Sequence, residues 1–210
     1  MRLDSAMDIP SPIDFSQTES AQAWADTANA KRPWRTKFFA AIASELRGLQ
    51  MPAASVLELG SGPGFLAERV LRELPNVRYT LLDSSPAMHM LARARLGAAG
   101  DTRFVQADFK HHEWSGDMGQ FDAVVTVQAV HELRHKRHAV GLHRAVYQLL
   151  HAGGLYLVCD HLAGPNGMTD TELYMTVTEQ SEALETAGFG DVSILLEMGG
   201  LVLHRGRTAA

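Results

Sequence analysis

Two short stretches of this sequence have the residue types and spacing for chemistry. The first is Glu58-Leu59-Gly60-Ser61-Gly62-Pro63-Gly64. Glycines at alternate positions let backbone amides approach a ligand with no Cβ in the way, and they tolerate the positive φ angles of a tight loop. A dinucleotide fingerprint, Gly-x-Gly-x-x-Gly, would need its third glycine at position 65, which is Phe65. Here the third glycine comes one residue early, and an acid, Glu58, stands two residues before the first. A plain glycine turn is the competing reading. The second stretch is His131-Glu132-Leu133-Arg134-His135. On a helix, its His-Glu-x-x-His spacing would set two imidazoles one turn apart for a zinc ion, with Glu132 as base. However, the preceding Val124-Val125-Thr126-Val127 reads as a strand, and the longer metalloprotease pattern wants glycine at 138 and histidine at 141. The chain has His138 and Gly141. No metal site is therefore expected, and a zinc hydrolase through His131, Glu132 and His135 is kept only as an alternative. The run Arg134-His135-Lys136-Arg137-His138 reads as a solvated helix start.

These stretches must be held by the elements around them. Val56 to Leu59 reads as a strand, followed by a helix from about 64 with Leu66, Val70 and Leu74 on one face. Further strands are expected at 77–82, 104–105, 121–127 and 155–159. Helices are expected from Pro86 to near Gly97 and around Leu142, Val146 and Leu149, the second closed by Gly153-Gly154. A last helix closing at Gly188 precedes strands at 191–197 and 200–205. This alternation predicts an α/β fold, a seven-stranded, mostly parallel sheet with helices on both faces. Ligands in such sheets bind beyond the carboxyl ends of the strands, where strand order reverses. Ahead of the sheet, residues 1–14 read as a mobile arm. An Ala-rich helix at 18–30 carries Trp24, and a second helix after Pro33 carries Phe39, Ile42, Leu46 and Leu49. The chain thus divides into an arm with two helices (1–50) and one globular unit (51–210).

Composition bounds the partners. The 210 residues are enough for one well-buried domain; 46% are hydrophobic and 20% charged, as in soluble globular proteins. A net charge of −5 offers no global positive field for a polyanion, so nucleic acid is not expected as partner. No apolar run approaches the roughly 20 residues that span a bilayer, and the first residues lack the apolar core of a signal peptide. The one cysteine, Cys159, excludes an intrachain disulfide and suits the reducing cytoplasm. Whether the protein is a monomer or a homodimer is left open.

The loop after the first strand resembles motif I of the class I S-adenosylmethionine-dependent methyltransferases. Later segments match the family in order: Leu82-Asp83-Ser84-Ser85-Pro86-Ala87-Met88, Gln106-Ala107-Asp108-Phe109, Phe121-Asp122-Ala123-Val124-Val125 and Leu149-Leu150-His151-Ala152-Gly153-Gly154-Leu155. The resemblance implies a Rossmann-like sheet with an N-terminal helical lid, and S-adenosylmethionine as cofactor. It implies that Gly60, Ser61, Gly62 and Gly64 pass under the cofactor's methionine and ribose, and that Glu58 holds the loop or, through water, the ammonium group. Asp83, with Ser84 beside it, would grip the ribose hydroxyls. Met88 would pack on the adenine, Asp108 would accept from its amino group, and Phe109 would add its ring or backbone. Gln128 and Arg35 complete the expected cofactor set, Arg35 or Arg32 meeting the carboxylate. For Asp83 and Asp108 a helix cap competes, and for Arg32 and Arg35 an ordinary surface role does. Trp34 or Trp24 would line the substrate side.

The segment after the fourth strand, Val127-Gln128-Ala129-Val130-His131-Glu132-Leu133, lacks the Asn/Asp-Pro-Pro-aromatic tetrapeptide of enzymes that methylate exocyclic base nitrogens. It is similar to the small-molecule enzymes, which implies His131 near the transferred methyl. His131 and Glu132 are the expected catalytic residues, His131 as base or as positioning group. Cofactor contact, packing or metal ligation remain open for His131. His161, Tyr174 and Met175 are further candidates for shaping substrate choice. The expected function is methyl transfer to a small-molecule acceptor at O, N, S or C. Alternatives are another use of the cofactor, such as intramolecular cyclisation, the zinc hydrolase, and a binding protein without turnover.

Overall fold

Seven strands form one sheet in the order β3-β2-β1-β4-β5-β7-β6, seen in a computed structural model that describes residues 8–210. The strands are β1 (Ser55–Leu59), β2 (Arg78–Asp83), β3 (Asp101–Gln106), β4 (Phe121–Val127), β5 (Leu150–His161), β6 (Gly190–Met198) and β7 (Leu201–Arg207). Neighbours in the run β3-β2-β1-β4-β5 pair in parallel, and β7 lies antiparallel between β5 and β6. The expected seven-stranded, mostly parallel sheet is present. Strand order reverses between β1 and β4, so the ends of these two strands open the crevice where such sheets bind ligands.

Side chains alternate between two cores. On one face Val56, Tyr79, Leu81, Val125, Leu157 and Leu203 pack against α2 (Arg35–Arg47), α3 (Phe65–Glu73) and α4 (Pro86–Leu96). On the other face Leu57, Leu82, Val124, Tyr156 and Val202 pack against α5 (Ala139–Leu149) and α6 (Val177–Thr186). The period-2 burial of near-continuous Val and Leu runs is what a sheet covered on both sides requires. Helix α1 (Thr18–Lys31) lies outside these layers, its Ala21 packed with Ala87 and Met88 of α4.

Three boundaries differ from the sequence reading. Gly153-Gly154 does not close α5, which ends at Leu149; both glycines lie inside β5. There Gly153, at φ 70°, sits where the register with β4 jumps from Phe121–Leu150 to Ala123–Leu155. A glycine pair marks a bulge as readily as a helix stop. β3 is a six-residue edge strand rather than two residues, because its polar positions pair along the whole of β2. The mobile arm expected over 1–14 falls partly outside the described residues. Its described part is not free, since residues 8–16 are held against the rest of the chain by hydrogen bonds set out below. Among the described residues no helix is long and apolar enough to cross a membrane.

Candidate active site

The glycine loop leaves β1 under steric constraint. Gly60, Gly62 and Gly64 all have positive φ, at 64°, 53° and 78°. At Gly60 a Cβ would stand 2.4 Å from the Ala129 Cβ, so the close approach of the loop to the segment after β4 excludes any side chain. At Gly62 an added Cβ would meet nothing within 4 Å, leaving open space beside the loop backbone. The loop is tied to β2: the Ser61 amide donates to the Leu82 carbonyl at 3.0 Å and the Gly62 amide donates to Asp83 Oδ2 at 2.8 Å. The other Asp83 oxygen accepts from the Ser85 amide at 2.8 Å. Burial raises the Asp83 pKa above the ordinary carboxylate value, with Asp108 and Glu132 adding to it, while these two amides oppose the rise.

One cavity of about 350 Å³ lies over this loop. It is lined by Arg35, Glu58, Gly60, Ser61, Gly62, Asp83, Ser84, Met88, Asp108, Phe109, Gln128, His131 and Glu132, together with Arg32 and Trp24. The structure thus brings together nearly all the residues singled out in the sequence. Gly64 is the exception: it sits outside the cavity as the left-handed residue before α3, with Ala92 of α4 3.2 Å from where its Cβ would be. Its smallness serves helix packing. Trp34 is a second exception, since its ring packs on Gly199 and the core rather than the cavity, and Tyr174 and Met175 lie beside His131 outside the cavity lining.

Polar atoms in the cavity wall lack partners. Ser61 Oγ, Arg35 Nε and Gln128 Oε1 are buried without a hydrogen bond among the described residues. Arg35 is 5% exposed, bonded through Nη1 to Asn29 Oδ1 at 3.2 Å, with its guanidinium 5.3–5.5 Å from the rings of Trp24, Phe39 and Phe65. Burial lowers its pKa to about 10, helped by Arg32, so it stays charged at neutral pH. Glu58 is buried, and among the described residues only the Tyr79 hydroxyl donates to it, at 3.0 Å. Burial pushes its pKa up to about 8, against that hydrogen bond.

At the far wall, β4 and β5 deliver a cluster of ionisable groups. Gln128 follows β4 with φ 56°, its amide donating to the Cys159 carbonyl at 2.7 Å. His131 then turns back over β5, where Asp160 Oδ2 accepts from its backbone amide at 2.9 Å and Oδ1 lies 2.6 Å from Nδ1. Its other ring nitrogen is 3.5 Å from Glu132 Oε1. Carboxylates at both nitrogens require a donor at each, which is the imidazolium form. Burial works to lower the His131 pKa, but Asp160 and Glu132 outweigh it and push it to about 10. Asp160 is buried, which raises its pKa, yet His131 brings it below the usual value. Glu132, partly exposed and 3.5 Å from Arg134 Nη1, is likewise held low against the effect of its burial. His161 lies 2.6 Å from Gln128 Nε2 through its own Nε2, and burial lowers its pKa to about 4. The Tyr174 ring stands 5.5 Å from the His131 ring, and Met175 is buried nearby.

Asp160 was not singled out in the sequence. The signal available was an acid following the apolar run Leu155 to Cys159 at the carboxyl end of the strand beside β4. The His-Glu-x-x-His reading fails on geometry: residues 130–133 form a single 3-10 turn, Arg134 is left-handed and His135 is extended. His135 Nε2 points at Glu172, 3.2 Å away, while His131 points at Asp160, so the imidazoles share no helical face. Among the described residues no group of three His, Cys, Asp or Glu is placed to hold a metal ion. Nor is the basic run a solvated helix start at its beginning, because Arg134 and His135 are buried.

Residues 8–16 cross the cavity mouth. Ile13 and Phe15 line it, Phe15 stacks edge-on against Trp24 at 5.8 Å, and the Phe15 carbonyl accepts from Ser85 Oγ. Ser85 also caps α4 by accepting from the Met88 amide at 3.0 Å.

Comparison with known proteins agrees with this geometry. A family model described as a methyltransferase domain matches residues 57–156. A malonyl-[acyl-carrier protein] O-methyltransferase of Paenibacillus sp. (strain JDR-2) is 30% identical over 126 residues, 59% of this chain and 43% of that protein. The chain thus spans less than half the length of that relative. An O-methyltransferase family protein from Burkholderia thailandensis superimposes with a TM-score of 0.75 at 19% identity, over 92% of this chain and 61% of that one. DhpI, solved with SAH, gives 0.69 at 21% identity over 92% and 96% of the two chains. The region matched by the methyltransferase-domain model runs from β1 into β5 and holds the glycine loop and the strand-end acids, and the chain shares the fold of these solved structures.

Proposed function

We propose that this protein transfers a methyl group from S-adenosylmethionine to a small-molecule acceptor in the cytoplasm. The observation that carries the reading is the set of unpartnered buried polar atoms around one cavity, Ser61 Oγ, Arg35 Nε and Gln128 Oε1, beside an open glycine backbone. An amino-acid moiety with its carboxylate toward Arg35 would satisfy them, which an apolar ligand could not. In this reading Glu58, Gly60, Ser61, Gly62 and Gln128 hold the methionine portion. Asp83 and Ser84 take the ribose, and Met88, Asp108 and Phe109 take the adenine. The bound cofactor supplies an electrophilic methyl on a positively charged sulfur. The chain's part is to align an acceptor with it and to take up any proton the acceptor releases.

His131 suits positioning better than base chemistry, because both of its nitrogens already face carboxylates. Asp160 orients the ring and holds its charge. Glu132, ionised and partly exposed to the cavity, is the group placed to accept a proton. Cys159 is buried in β5, where burial raises its thiol pKa, so it takes no part. Incubating the protein with S-adenosylmethionine and pooled small molecules should yield S-adenosylhomocysteine together with a product one methyl heavier, seen by mass spectrometry. Cofactor consumption with no methylated acceptor would count against the proposal and favour cyclisation.

A further inference from the structure

We propose that Arg134 is a positioning residue that latches residues 8–16 over the cavity and links that closure to Glu132. Its side chain is buried under this strap: Nε donates to the Ile9 carbonyl and Nη2 to the Pro10 carbonyl, both at 2.8 Å. The Ile9 amide donates back to the Arg134 carbonyl at 2.9 Å, so the two segments clasp each other in both directions. The remaining guanidinium nitrogen, Nη1, lies 3.5 Å from Glu132 Oε2. One side chain therefore touches both the strap and the carboxylate beside His131. The strap's other end is tied to the opposite wall, where Ser85, bonded to Asp83, donates to the Phe15 carbonyl. Between these ties, Ile13 and Phe15 face the cavity.

The backbone supports a role for the side chain. Arg134 has φ 66°, a conformation that glycine adopts freely and a long side chain adopts at a cost. A residue kept there against its preference points to something the side chain supplies. Pro10 and Pro12 suit the strap: neither has an N–H to satisfy, and Pro10 offers only the carbonyl that Arg134 binds.

The test follows from the same backbone. Arg134→Gly removes the guanidinium while accepting the positive φ, so the fold should be kept, with no fall in the denaturation midpoint. Hydrogen exchange in the variant should speed up by about tenfold or more at the amides of Ile9 and residues 13–16, with β1 and β4 unchanged. Arg134→Lys keeps the charge beside Glu132 but offers one donor head instead of a fork, so its strap should also exchange faster. Release of S-adenosylhomocysteine, followed by stopped flow, should accelerate in parallel in Arg134→Gly. Unchanged exchange in the strap overturns the latch, and faster exchange with unchanged release overturns its closure of the cavity. The release measurement rests on the proposed cofactor. If the native protein fails to bind S-adenosylhomocysteine, that reading falls, and the exchange measurement by itself decides the latch.

Discussion

At the scale of single residues the decisive pair is Asp160 and His131. The folded pKa of His131, about 10, stands above its ordinary value of 6.5. The pair's stabilisation is therefore complete between the ordinary Asp160 value of 3.8 and pH 6.5, and it is lost as pH rises through about 10. Replacing Asp160 by Asn leaves burial as the main influence on the ring, so His131 should titrate below 6.5, as read from its imidazole resonances by NMR. A ring that still titrates near 10 would contradict the assignment of the charge to Asp160. Glu132→Gln should lower turnover by roughly 10²-fold or more if it takes the acceptor's proton, whereas loss of binding alone would show only in KM. Gly60→Ala should destabilise the fold by about 1–3 kcal/mol in chemical denaturation, through its positive φ and the contact with Ala129. The glycines, Asp83 and His131 were legible because their types and spacing stand out in sequence. Asp160 was not: its partner is 29 residues away and they meet only because β4 and β5 are adjacent.

At the scale of elements, what the sequence shows depends on how local the cause is. Helix α4 was readable from Pro86 at its first turn and Gly97 at its end, both local signals. Helix α6 begins with a capping box, Thr176 accepting from the Glu179 amide and Glu179 accepting from the Thr176 amide. Thr176→Ala should cost about 1 kcal/mol in equilibrium unfolding, with no change at the cavity; a cost near zero would mean that tertiary packing alone sets this helix start. The long β5 was misread because Gly153-Gly154 has two local meanings, and only its pairing with β4 and β7 selects the bulge. The strap over 8–16 carries no periodicity, and what orders it is contact with Arg134 and Ser85, remote in sequence. No local pattern could announce it.

At the scale of the whole molecule, buried titratable groups set a pH dependence on both sides of neutrality. Burial lowers His143 to about 3 and His161 and His204 to about 4. Their folded values lie below the unfolded one, so stability is lost as pH falls from 6.5 toward 3, where the unfolded chain binds more protons. Glu58 acts in the other direction: held up to about 8 by burial, it keeps a proton that the unfolded chain has released above 4.5, so stability falls as pH rises between these values. With the loss at His131 above 6.5, stability should peak at about pH 6, and Glu58→Gln should flatten the decline toward pH 8 in a urea series. The central claim is that the cavity at the β1–β4 switch point binds S-adenosylmethionine through the loop that Asp83 holds. Titration calorimetry with S-adenosylmethionine and S-adenosylhomocysteine tests it most directly. The native protein should bind both, and Asp83→Ala should weaken binding by at least about tenfold, the loss of a charge-assisted hydrogen bond and a loop anchor. No binding by the native protein, or unchanged affinity in Asp83→Ala, would contradict it.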